Sequence, residues 1–176
     1  GNRVYKVDPE GMLSVFAGTG SRGFSGDGGR AIDALLTSAL GLPLDSDGNL
    51  LIADSGNDRV RRVDSVTGVI TSLAGHYATP TDVDVDVIGN VYVAARTFGI
   101  IQRLGSQGEL TTIAGGGFLP GVDGIPATEA QLYAPYGVRA DAEGNVFFTE
   151  SGGKAVRRID GTTRIISTVA GTREVG

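Results

Sequence analysis

The stretch DAEGNVFFTESGGKAVRRIDGTTRIISTVAG, residues 141–171, holds three short apolar runs divided by turns: VFFTE from Val146, VRRID from Val156 and STVAG ending at Gly171. β-Branched and aromatic residues dominate them, as suits strands on a packed, pleated surface. GVRAD from Gly137 adds a strand in front, so the unit has four, labelled a to d in chain order. The unit recurs upstream. DAEGN follows DVIGN (86–90) by 55 residues, and DVIGN follows DSDGN (45–49) by 41. After each comes a b strand (LLIAD from Leu50, VYVAA from Val91), then a c strand whose last apolar residue, Val63, Leu104 or Ile159, stands 14 positions beyond the Asn. Four d strands end in Ala-Gly, at Gly18, Gly75, Gly115 and Gly171.

Strands this short and evenly spaced, joined by tight Gly-bearing turns, predict an antiparallel meander; a four-stranded meander repeated radially is a β-propeller blade. The expected fold is all-β. A c–d half blade occupies residues 1–18 and full blades 41–75, 81–115 and 137–171, with inserts at 19–40 and 116–136. Propellers close with four to eight blades. Three and a half leave apolar faces open, so the expectation is either further blades from a longer chain or self-association of two copies into a ring. In the inserts, DGGRAIDALLTSALG from Asp27 aligns with DGIPATEAQLYAPYG from Asp123, and the shared A-x-x-A-x-L spacing predicts one helical turn laid against the propeller.

The 29 glycines among 176 residues fit a turn-rich chain, and 40% apolar content supports a packed core. A net charge of −5 offers no general attraction to nucleic acid or anionic lipid. No apolar run reaches the roughly 18 residues that cross a bilayer, and the opening GNRVYKVDPEG lacks the apolar stretch of a signal peptide, so neither membrane insertion nor an address is expected. With no cysteine there is neither disulfide nor thiolate metal site.

GNDRVRRVD from Gly56, GNRVYKVD from Gly1, the TVAGT ending and the insert GFSGDGGRAIDALL together resemble NHL-repeat propellers of the bacterial type with long inserts between blades. The resemblance covers nearly the whole chain. It implies a rigid frame on which both binding proteins and lyase-like or lactonase-like enzymes are built, and it favours an extracellular or periplasmic setting.

Strand alternation places the b–c and d–a loops on one face and the short a–b and c–d turns on the other. The long loops mark the first as the functional face, with a groove over the second blade between two raised inserts. The residues expected to bind a protein or glycan partner there are Phe24, Asp27, His76, Tyr77, Arg96, Phe98, Phe118, Asp123 and Lys154. Arg96 and Phe98 depart from the SGND and SGGK loops of the other blades. Asp27 and Asp123, each in a Gly-rich loop, also offer one carboxylate apiece to calcium. Asp82 and Asp84 lie at period two on an inner strand, open to a metal or to pairing with Arg139 on the next blade. The c-strand cations, among them Arg61, Arg62, Arg157 and Arg158, read as a ladder paired with Asp54, Glu150, Asp64 and Asp160, or else as a basic stripe for a partner.

Catalysis has thin support in these residues. The single histidine, His76, cannot make an imidazole cluster, and neither a G-x-S-x-G elbow nor a phosphate loop is present. The leading expectation is a non-catalytic binding module. An enzyme completed by other blades and a purely structural segment of a surface protein are the alternatives.

Overall fold

A computed structural model of the chain describes residues 1–172. It opens with a hairpin of β1 (Val4–Val7) and β2 (Leu13–Ala17). The first blade comprises β3 (Ala39–Leu40), β4 (Leu50–Asp54), β5 (Arg59–Val63) and β6 (Ile70–Ser72). The second comprises β7 (Pro80–Val85), β8 (Val91–Ala95), β9 (Ile100–Leu104) and β10 (Leu110–Gly115). Within the second insert lie β11 (Leu119–Pro120), β12 (Ile125–Pro126) and β13 (Ala130–Gln131). The third blade is β14 (Pro135–Ala140), β15 (Val146–Glu150), β16 (Ala155–Ile159) and β17 (Ile165–Ala170). Every blade is an antiparallel meander in chain order, as in a β-propeller. The repeat holds to single-residue register: Leu51 opposes Arg62, Tyr92 opposes Arg103 and Phe147 opposes Arg158.

The core lies between blades. Leu50 and Ile52 face back, against Val4, Ala17 and the first insert. Their neighbours Leu51 and Ala53 face forward, against Val83, Val91 and Val93 of the second blade. Tyr92, Ala94 and Ile101 in turn meet Val138, Val146 and Phe148 of the third. Because both faces of an interior blade are covered, its strands read as nearly continuous apolar runs rather than alternating ones.

Each D-x-x-G-N turn ties two corners together. Asp45, Asp86 and Asp141 accept the amide N–H of Asn49, Asn90 and Asn145 at 2.8, 2.9 and 2.8 Å. Those asparagines accept the N–H of Ser65, Ser106 and Gly161 in the c–d turns at 2.9, 3.3 and 3.0 Å. The expected helical turns of the inserts are single 3-10 turns at Ala31–Asp33 and Ala127–Glu129, burying Ala31, Ala34 and Leu36 in one and Ala127, Ala130 and Leu132 in the other. Before each turn the insert runs beside the outermost strand of the blade it precedes. Arg30 bridges Val69, and β12 pairs with Ile165 and Ile166 of β17, so an otherwise open sheet edge is covered.

Asp82 and Asp84 pair across to the next blade. Asp82 accepts the Val138 N–H at 3.1 Å and the Arg139 guanidinium at 2.6 Å, while Asp84 accepts the Ala140 N–H at 2.8 Å.

Candidate functional site

On the loop-rich face, the first and third blades carry the same buried assembly. Arg61 of β5 and Arg157 of β16 are fully buried. Arg61 donates to Asp54 at 3.5 Å and to Asp27 of the first insert at 2.7 Å. Arg157 donates to Glu150 at 3.1 Å and to Asp123 of the second insert at 2.9 Å. Each guanidinium also reaches an insert carbonyl, Ser25 or Val122, at 3.1 Å. The second oxygens of Asp54 and Glu150 accept the N–H of Thr37 and Tyr133, both at 2.7 Å. A guanidinium taken out of water is tolerable only with such a set of acceptors, and here two of them come from the insert. Burial pushes the Asp54 carboxyl above its ordinary range, against hydrogen bonds from Asn57 and Thr37 and the charge of Arg61.

Asp27 and Asp123 are therefore clamp residues. Phe24 joins the first clamp, with its ring 4.9 Å from the Arg59 guanidinium and 5.0 Å from that of Arg61. The spacing of 34 residues from Asp27 to Arg61 and again from Asp123 to Arg157 is the signal from which sequence reasoning could have found this pairing.

The second blade lacks the assembly. Ala95 stands where Asp54 and Glu150 stand, Gln102 replaces the arginine, and no long insert precedes the blade. Its b–c turn, Arg96 to Gly99, instead forms one wall of a groove of about 420 Å³ whose other wall is the second insert, at Gly116, Gly117, Phe118 and residues 131–134. This groove brings together Arg96, Phe98 and Phe118 of the expected site. Phe118 is 91% exposed and Phe98 56%. His76 stands beside them, its ring 6.5 Å from that of Phe98 and its Nε2 3.9 Å from Asp58. Gln131 and Tyr133 also line the groove and were not expected. Their signal was departure from the first insert, which has Leu35 and Thr37 at those positions.

Tyr77 requires a correction. It is 0% exposed, packed with Leu51, Val60 and Val83, and its hydroxyl donates to the Ala74 carbonyl. The residue stands nine positions before Asp86, as Leu36 and Leu132 stand before Asp45 and Asp141, and so holds the buried anchor of the repeat. Burial pushes its phenol up to about 12. Lys154 is exposed but lies outside the groove lining; it closes the third blade's turn at φ 48°, where the other blades have Asp58 at φ 54° and Gly99 at φ 62°.

The groove's only charged lining residue is Arg96, which has no ion pair among the described residues. No group of three His, Asp or Glu side chains is placed to hold a metal among those residues.

No family model matches the chain. Solved structures share its fold. A catalytically inactive virginiamycin B lyase from Staphylococcus aureus, crystallised with quinupristin, matches at TM-score 0.66 and 19% identity over 96% of this chain and 48% of that one. An auxiliary nutrient binding protein from Bacteroides thetaiotaomicron matches at TM-score 0.66 and 17% identity over 95% of this chain and 40% of that one. A chain of a nidogen–laminin complex matches at TM-score 0.66 and 15% identity over 96% and 54%. The chain spans about half the length of these propellers, and at such identities the likeness establishes the β-propeller fold alone.

Proposed function

We propose that the chain is a segment of an NHL-type propeller that binds a protein or glycan partner through its loop-rich face, without chemistry of its own, in an extracellular or periplasmic setting. One observation carries this reading: the b–c turn of the second blade, which no long insert precedes, faces the second insert across a groove in which the exposed side chains of Arg96, Phe98 and Phe118 make no hydrogen bond or ion pair among the described residues. Exposed aromatics beside an arginine are the usual anchors of interfaces. Blade faces left open at Tyr5, Val7, Leu13 and Val15 would be covered by further blades or by a second copy. The lyase among the structures of like fold keeps a second reading in view, in which blades beyond this segment supply catalytic groups.

The test is which face meets a partner. A photoreactive benzoylphenylalanine replaces Phe118 in one preparation and Val87, 79% exposed in a turn of the opposite face, in another. Cross-linking from position 118 alone is the expected result. Cross-linking from 87 and not from 118 would overturn the reading.

A further inference from the structure

The inserts cover the outer strands of the first and third blades. Ile70 of β6 bonds the first insert in both directions, its N–H donating to the Gly29 carbonyl at 3.0 Å and its carbonyl accepting the Gly28 N–H at 2.8 Å. The Ile166 carbonyl of β17 accepts the Gly124 N–H of the second insert at 2.9 Å. Leu110 of β10 holds the same place in the second blade, opposite Leu104 as Ile70 is opposite Val63 and Ile166 opposite Ile159. Because the Gly105 N–H donates to the Glu109 carbonyl at 2.8 Å, the N–H and C=O of Leu110 point away from β9, and among the described residues no segment pairs with them. The side chains show the same contrast: Ile70 and Ile166 are 0% exposed and Leu110 38%. An uncovered edge is a template for one more strand.

The corner beside that edge narrows what the strand carries. In the third blade Thr168, opposite Arg157, donates its N–H and hydroxyl to Asp123 of the insert at 2.9 and 3.0 Å. In the second blade the equivalent pair is Thr112 and Gln102, with Ala95 in place of the acid. Gln102 is 8% exposed, and its buried Oε1 has no hydrogen-bond partner. Thr112 is exposed, and its hydroxyl makes no bond among the described residues. A buried amide oxygen needs a donor. A carboxylate at this corner would meet no guanidinium, and Gln102 ends short of an arginine's reach. The matching side chain is therefore neutral and longer than aspartate: a glutamine, whose amide both donates and accepts.

We infer that the outer edge of the second blade takes up an extended strand of a partner protein, antiparallel to β10 as the inserts are to their blades, with a glutamine where the inserts carry Asp27 and Asp123. This site is separate from the groove at the b–c turn and does not rest on it.

The probe is the blocked peptide Val-Gln-Gly-Ile-Pro-Ala, residues 122–127 of the second insert with glutamine for Asp123, titrated into the isotope-labelled chain and followed by amide NMR. Saturable shifts and slowed hydrogen exchange at Leu110 and Thr112 are expected. Sarcosine in place of the peptide's glycine removes the N–H that would bond the Leu110 carbonyl and should weaken binding roughly tenfold, as should aspartate in place of the glutamine. Gln102→Leu should abolish the preference for glutamine over aspartate, and its amide spectrum checks that it folds. No shift along β10, or equal binding of the sarcosine peptide, would overturn strand addition. Equal binding of the aspartate peptide, or a preference that survives Gln102→Leu, would overturn the glutamine. Shifts at Ile70 or Ile166 instead of Leu110 would mean that the peptide displaces an insert, and would overturn the second blade's edge as the site.

Discussion

The second blade and its two neighbours share strands, registers and the D-x-x-G-N turn, yet differ at a corner. The first and third blades bury an arginine at Arg61 and Arg157 and spend it on an acid of their own and an acid of the insert. The second blade has neither arginine nor acid there, and its preceding link is short. Strand and turn residues thus specify the frame, whereas the corner residues decide whether a long loop is held down. Where no long insert is held, the b–c turn still bonds the preceding link, through the Arg96 and Thr97 N–H groups to the Thr79 and Ala78 carbonyls, but its side chains Arg96 and Phe98 are exposed and take no part in a buried clamp.

The sharpest way to break that contrast is to rewrite the third blade as the second. Glu150→Ala alone leaves Arg157 buried with a partner missing and should cost about 3–5 kcal/mol, read from urea unfolding. Adding Arg157→Gln removes the stranded charge and should recover part of the loss, a coupling that a double-mutant cycle measures. A comparable loss, about 3–5 kcal/mol, is expected for Tyr77→Ala, which empties the buried anchor of the second blade, while Phe118→Ala on the exposed groove wall should stay within about 0.5 kcal/mol.

Asp123→Asn is gentler, since that side chain is 45% exposed, and should lower global stability by less than about 1 kcal/mol. Its effect is local. Hydrogen exchange should accelerate at Gly124 and Ala127, whose N–H groups bond the Ile166 and Arg164 carbonyls at 2.9 Å, with no change in the second blade.

The smallest expected effect is in acid. Hydrogen bonds from Thr67, Asn145 and Thr163 hold the Asp64, Asp141 and Asp160 carboxyls below their ordinary 3.8. The stability they contribute is complete above that value and is lost as pH falls through their lower native values. Asp54, raised by burial, works in the opposite sense and costs stability as pH rises past 3.8. Thermal unfolding followed from about pH 5 to about pH 2 should therefore show a falling midpoint, with a shallower fall in Asp141→Asn.

Much of this was legible in the residues themselves. The D-x-x-G-N spacing yields the blades because the turn is a local hydrogen-bonded device, and the A-x-x-A-x-L match yields the 3-10 turns because their buried alanines must recur. The link from Asp82 to Arg139 follows from period-two placement on an inner strand. Tyr77 was misread because a lone Tyr after a His looks like a surface loop, although its distance from Asp86 gives its buried place. The arginine ladder closes on Asp54, Glu150 and Asp160 as read, but Arg62 meets Asp45 at 3.3 Å, an acid that reading did not name: which turn a long side chain reaches depends on the course of the strands in space, which spacing alone does not encode. Gln131 and Tyr133 join the groove only through the folding back of the insert, a non-local event.

The central claim is that the second blade's departures from the repeat build the binding site. Its most direct test exchanges that loop for the third blade's, by Arg96→Ser, Thr97→Gly and Phe98→Gly, and measures partner cross-linking from benzoylphenylalanine at position 118. A folded chain that no longer cross-links is the predicted result. A folded chain that cross-links as before would contradict the account.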